Sequence, residues 1–200
     1  MFDVLTEPFS DVALATVKAS VAAYAAGGVE VVLARPDRIE LRVPGELKAV
    51  SAAENLLVSS LADIPPQPRE SIIAAFREIL ANAIEYGCRL DRSKRVEVSC
   101  VRLRRVVVCR IKDPGAGFDP ARLTHAAINN PEGDPVRHAR VREANGMRPG
   151  GFGLLLTAEL VEELIYNERH NEVLFVKYLP ESARAQAAGR GRMGREGTER

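Results

Sequence analysis

Glu78 and Asn82 set a carboxylate and a carboxamide four residues apart in the segment Phe76 to Gly87, FREILANAIEYG. A glutamate can take a proton from an attacking hydroxyl. An amide oxygen is a hard, neutral ligand suited to Mg²⁺ beside phosphate oxygens and water. With the helical step of about 100° per residue, Ile72, Ile73, Ile79, Leu80, Ala83 and Ile84 fall on the Phe76 side, and Glu78, Asn82 and Glu85 fall opposite. By itself, a polar stripe of this kind is most often solvated surface.

Two later stretches carry chemistry of a related sort. In Val106 to Phe118, VVVCRIKDPGAGF, period-two alternation aligns Val107, Cys109, Ile111 and Asp113, so an acid ends an apolar row. A buried carboxylate requires a donor. Gly115 and Gly117 in the turn after it leave room for the backbone to approach a ligand, although an ordinary turn headed by Asp113 reads the same way. In Arg148 to Leu156, RPGGFGLLL, Gly150, Gly151 and Gly153 precede a helix expected over Leu154 to Ile165. Glycines at such a junction let a phosphate reach unpaired N–H groups and the positive end of the helix dipole.

The elements that must position these residues are legible in outline. Residues 10 to 28 read as an Ala/Val-rich helix with Ser10 and Asp11 as caps and Gly27-Gly28 as its stop. Val29 to Leu33 and Ile39 to Val43 read as a hairpin around Ala34 to Arg38. Leu47, Val50, Leu56, Leu57 and Leu61 recur at helical spacing, and the prolines at 65, 66 and 68 separate that helix from the one bearing Glu78. Arg95 to Leu103 and Val106 to Lys112 form an antiparallel pair turning near Arg104-Arg105. Between Phe118 and Gly150 apolar periodicity is lost, and Arg137, Arg140, Arg142 and Arg148 accumulate. A last strand runs from Val173 to Leu179.

Composition narrows the classes. A net charge of +1, 5% aromatics and no Trp give no footprint of nucleic-acid binding. The three cysteines, 88, 100 and 109, lack metal spacing and read as reduced core residues. His125, His138 and His170 read as loop residues without a ligand role. The acidic opening MFDVLTEPFSD and the charges at Asp11, Lys18 and Glu30 speak against an export signal and a membrane span, so a cytoplasmic location is expected.

Taken in order, Glu78-x-x-x-Asn82 with its NAIEYG ending, Asp113-x-Gly115-x-Gly117 and Gly150-Gly151-Phe152-Gly153-Leu154 resemble the N, G1 and G2 boxes of the GHKL (Bergerat-fold) ATP-binding superfamily. The spellings DPGAGFDP and RPGGFGLLL on so small a domain are most similar to bacterial anti-sigma-factor serine/threonine kinases of the RsbW and SpoIIAB type. The likeness covers Ile39 to Tyr178. It implies an α+β fold, a two-layer sandwich with helices packed on one face of a mixed, mainly antiparallel sheet. The organisation expected is an N-terminal helical extension and edge strand over 1–33, an ATP-binding kinase domain over 34–180, and a disordered Arg/Gly/Ala-rich tail over 181–200.

The resemblance also implies ATP and Mg²⁺ as ligands. Glu78 is then the catalytic base and Asn82 the metal ligand. Asp113 accepts from the adenine amino group, with Gly115 and Gly117 shaping the turn beside it. Gly150, Gly151, Gly153 and Leu154 form the phosphate side, with Arg148 as the phosphate contact and the interval before it as a lid. Many members have Gly-Thr before the last strand to help hold adenine, whereas Asn171-Glu172 stands here. Implied partners are a sigma factor, a STAS-type antagonist carrying the acceptor hydroxyl, and a second copy of the chain. A non-catalytic, ATP-responsive partner-binding regulator of the same fold is the other reading.

Overall fold

The structure is a computed structural model and describes residues 27–119, 123–124, 126–146 and 151–180. The helix expected over 10 to 28 falls, up to residue 26, outside the described residues, as do the tail from 181 and Arg148 and Gly150. A six-stranded sheet has the order β1-β2-β3-β4-β6-β5, formed by β1 (Glu30–Arg35), β2 (Arg38–Pro44), β3 (Arg95–Arg102), β4 (Val106–Lys112), β5 (Glu163–Tyr166) and β6 (Glu172–Tyr178). Every pairing is antiparallel.

Strict alternation decides which sheet face is covered. Ile39, Leu41 and Val43 of β2, Val96, Val98 and Cys100 of β3, and Val107, Cys109 and Ile111 of β4 point one way and are buried. Val173 and Phe175 of β6 continue those rows. Two helices lie on that face, α1 (Lys48–Ser60) and α2 (Pro66–Asn82). Pro66 opens α2, where a missing N–H costs nothing and a fixed φ helps. Ile72, Ala75, Phe76, Ile79 and Leu80 make its inner stripe. Phe76 has no exposure, so its truncation to Ala costs about 3–5 kcal/mol. Helices on one face of an antiparallel sheet make this a two-layer α+β fold.

Three expectations change. The helix α4 ends at Leu160 (Gly153–Leu160), and Glu163–Tyr166 is strand β5 rather than the last turn of a helix. The free edge of β6 accounts for this: Leu164 pairs with Phe175 and Tyr166 with Val173, so ladder bonds displace a helical pattern that the sequence also satisfies. The interval after Phe118 is not structureless, because Arg137–Ala144 forms α3 and Ala127–Asn129 a 3₁₀ turn. His138 therefore lies on a helix and is fully buried. Finally, the β3/β4 register sets Cys100 opposite Cys109, with Cα atoms 4.1 Å apart, and the two form a disulfide, which leaves only Cys88 as a free thiol. Spacing in the sequence does not reveal that opposition; strand register does.

Candidate functional site

The helix α2 delivers Glu78 and Asn82 to the wall of a cavity of about 600 Å³, within the range that small-molecule ligands occupy. Beyond Asn82 the helix widens into a π turn, Ala83–Gly87, closed by Cys88 N–H donating to the Ala83 carbonyl at 2.8 Å. The extra residue rotates the chain beyond it. Glu85, expected beside Glu78 and Asn82, does not line the cavity, whereas Ala83, Tyr86 and Gly87 do. Such π turns are rare and recur at functional sites. Immediately after it, Arg89 and Leu90 both take φ of 56°, a conformation costly for residues other than glycine, and Arg89 also lines the cavity.

At the other side of the cavity Asp113 directly follows β4. Its Oδ1 accepts from the Gly115 N–H at 2.7 Å, which supplies the donor that a half-buried carboxylate requires. Burial pushes the Asp113 carboxyl above the usual carboxylate range, and the Gly115 N–H offsets this only in part. Gly87 packs against this carboxyl so closely that a Cβ there would overlap it. A Cβ on Gly115 would meet Asp113 Oδ1 at 2.7 Å. Gly117 has φ of 84° and rests on the Arg169 carbonyl, which leaves no space for a side chain.

Asn171 ties this turn down. Its Nδ2 donates to the carbonyls of Asp113 and Gly115, both at 3.2 Å, while its own carbonyl accepts from the Asp113 N–H at 2.9 Å. The sequence marked this position only as a departure from Gly-Thr; its clamping role comes from the fold. Phe118, Tyr166 and His170 meet edge to face or tilted, with ring centroids 5.3–5.8 Å apart, and close that end of the cavity. Burial pushes the Tyr166 hydroxyl up to about 12, so the ring stays neutral.

The opposite end is built on Gly151, Phe152, Gly153 and Leu154, all on the cavity wall. Gly151 has φ of 97°, and its carbonyl accepts from the Ala127 N–H at 2.7 Å, which ties this segment to the 3₁₀ turn. Gly153 begins α4 directly over Glu78: a Cβ would overlap Oε2 and lie 3.8 Å from Asn82 Nδ2. The structure thus brings Glu78, Asn82, Asp113, Gly115, Gly117, Gly151, Gly153 and Leu154 around one cavity. Sequence reasoning gave no role to Gly87 or the three rings, whereas Arg142, one of the arginines it gathered in the lid interval, is buried and lines the cavity. A glycine directly after a helical polar stripe was the one signal that pointed to Gly87.

The family model described as a histidine kinase-like ATPase domain matches residues 43–177, most of the chain and all of the described cavity. The chain belongs to the histidine kinase-like ATPase domain family. No curated protein matches it. Membership makes this a nucleotide-binding ATPase domain, and the cavity agrees in size and donor set. It offers an acceptor at the end of a buried strand, glycine backbone open to close approach, and a carboxylate beside a carboxamide. Among the described residues of the ATPase domain no group of three or more His, Cys, Asp or Glu is placed to hold a metal, and no helix is long and apolar enough to cross a membrane.

Proposed function

We propose that the protein is an ATP-dependent serine/threonine protein kinase and anti-sigma factor. It sequesters a sigma factor, and it transfers the γ-phosphoryl group of ATP to a hydroxyl of a STAS-type antagonist, giving ADP and a phosphorylated partner. The observation that carries the reading is Glu78 beside Asn82 on one cavity wall, directly under the backbone of Gly153. Phosphoryl transfer asks a protein for alignment, charge neutralisation and a proton acceptor. Glu78 is the acceptor for the hydroxyl proton. Asp113 takes the adenine amino group, and Gly87 and Gly115 bring the base against it. Gly150, Gly151 and Gly153 admit the phosphates, with Arg148 as their cation. Mg²⁺ would be held by the Asn82 oxygen, with the nucleotide supplying further oxygens, and provides charge neutralisation. The spelling of the two glycine segments supports the anti-sigma subtype, and a homodimer and a cytoplasmic setting belong to the same proposal.

The test is calorimetry with Mg²⁺-ATP on the wild type, Asp113→Ala and Glu78→Ala, followed by phosphate transfer to a STAS-type protein. The reading expects Asp113→Ala to lose binding, and Glu78→Ala to keep binding but lose transfer. Binding without transfer by the wild type, to any such acceptor, would leave an ATP-responsive regulator that holds a partner without modifying it. No binding at millimolar ATP would end the kinase reading.

A further inference from the structure

The segment 86–95, between the π turn and β3, carries four cations, Arg89, Arg92, Lys94 and Arg95, and one acid, Asp91. None of the four has a task in the transfer reaction. Asp91 is occupied within the segment: its Oδ1 accepts from the Ser93 N–H at 2.9 Å and from Ser93 Oγ at 2.6 Å. Arg92 is paired with Glu46 at 3.3 Å, and Arg95 Nη1 donates to the Arg92 and Lys94 carbonyls at 2.7 and 3.0 Å. Arg89 is exposed, lines the cavity, and has no side-chain hydrogen bond or ion pair among the described residues.

Leu90 is a residue that folding alone would not choose at its position. It holds φ of 56° and is 53% exposed. Asn enters the left-handed region far more readily than Leu, and an exposed polar side chain keeps its water. A bulky apolar side chain is therefore unfavourable there on both counts, and strain of this kind collects at functional positions. The surrounding backbone holds it in place. Leu90 N–H donates to the Ile84 carbonyl at 3.1 Å, Asp91 N–H to Cys88 at 3.2 Å, Lys94 N–H to Asp91 at 3.0 Å, and Gly45 N–H to Lys94 at 3.1 Å. Gly45 lies so close that a Cβ there would overlap the Asp91 carbonyl oxygen. Through Gly45 and the Arg92–Glu46 pair the segment adjoins Leu47, a second large apolar side chain, 44% exposed. Two exposed leucines thus stand among arginines on a fixed surface beside the cavity. A surface already held in one conformation loses little freedom when a partner binds.

We propose that the segment 86–95, with Leu90 as its apolar anchor and Arg89 as its unpaired cation, is the docking surface for the protein that receives the phosphoryl group. The part of that partner which seats here is acidic and offers an apolar side chain between its carboxylates. Charge complementarity selects it, because cations outnumber acids four to one in the segment and attract an acidic surface in a salt-dependent way. Position selects the acceptor over other partners, because Arg89 and Lys94 line the same cavity as Glu78. The inference rests on the transfer reading and adds to it the place where the acceptor is held. Leu90 takes no part in the chemistry, so its contribution is to affinity for the partner alone.

The experiment measures, by calorimetry, the binding of a STAS-type protein to the wild type, Leu90→Asn and Arg89→Glu, each loaded with Mg²⁺ and a non-hydrolysable ATP analogue. Phosphate transfer from ATP and thermal melts are measured beside it. Leu90→Asn is expected to weaken the partner by about 10- to 100-fold, the range of an interface anchor. Its nucleotide binding and kcat stay as in the wild type, and its Tm does not fall, because Asn suits the backbone better. Arg89→Glu weakens the partner most at low salt, and its deficit shrinks as salt rises. The proposal is overturned if Leu90→Asn binds the partner as the wild type does, or if that variant loses the nucleotide, since the leucine then serves the fold. A wild type that binds no STAS-type protein overturns it too. Partner binding that Leu90→Asn weakens, with no transfer by the wild type, would end the kinase reading and leave the docking surface standing.

Discussion

The backbone of Gly153 occupies the space directly over the Glu78 carboxylate, so that any side chain at position 153 would displace Oε2. Gly153→Ala is therefore expected to move the proposed base rather than unfold the chain. Overpacking of this kind costs about 1–3 kcal/mol. Phosphate transfer should fall at least as far as in Glu78→Ala, while Mg²⁺-ATP still binds. Single-turnover transfer beside calorimetry measures both quantities; full activity in the variant would separate Gly153 from the chemistry.

Asp113 gives a pH prediction with a definite sign. Its folded carboxyl is raised by burial, and the Gly115 N–H only partly offsets this. The folded state thus holds the Asp113 proton more readily than the unfolded chain. The resulting stability is full below the unfolded carboxylate range and is lost as pH rises through the folded value. At neutral pH the ionised carboxylate is a net cost to the fold. Asp113→Asn should match or exceed the wild-type Tm at pH 7.5 and lose this advantage on acidification, yet bind ATP poorly. Thermal melts from pH 4 to 8 decide it; a wild type more stable than the variant throughout neutral pH would contradict the assignment.

Asn171 makes a discriminating pair of substitutions. Its Nδ2 serves two carbonyls, and its Oδ1 accepts from Asn167 Nδ2 at 2.9 Å. Removing it in Asn171→Ala should cost about 1–3 kcal/mol and weaken nucleotide binding through the loosened Asp113 turn. Asn171→Asp sets a carboxylate against two carbonyl oxygens and should be worse than Ala despite its near-identical shape. Denaturant melts rank the three proteins, and an Asp variant as stable as wild type would refute the clamp.

The thiols offer a chemical count. Cys88 is buried, and its thiol is pushed up first by burial and then by the Asp113 carboxylate, so little reactive thiolate forms at neutral pH. Native, unreduced protein should resist a thiol reagent at pH 7.5. In denaturant it should release one reactive thiol, rising to three after reduction. Three thiols in denaturant without reductant would mean that Cys100 and Cys109 are not joined in the isolated protein.

Much of the architecture was readable beforehand. Alternation in β4 named its covered face, and the 3.6-residue rhythm of α2 placed Glu78 and Asn82 together on the side opposite Phe76. What escaped were features in which a local pattern had two solutions. Residues 161–166 satisfy both a helix and a strand, and the free edge of β6 settled the matter. Glu85 obeyed the ideal helical step on paper, but the π turn at Ala83–Gly87 carried it off the cavity wall. The short helix α3 has only Ala139, Val141 and Ala144 as apolar residues and buries His138 and Arg142 instead, so no apolar stripe announced it.

The sequence alone determined which residues hold acids, amides and glycines, their order, and which faces of the strands and of α2 turn inward, because steric preference and hydrophobic periodicity act over a few neighbouring residues. Only the tertiary structure decided that Asn171 would grip the Asp113 turn from 58 positions away, that Gly153 would lie on Glu78, that Cys100 would face Cys109, and that Arg142 alone of the described lid arginines would reach the cavity. Those juxtapositions depend on strand register and on how the chain closes over long separations, and no local preference encodes either.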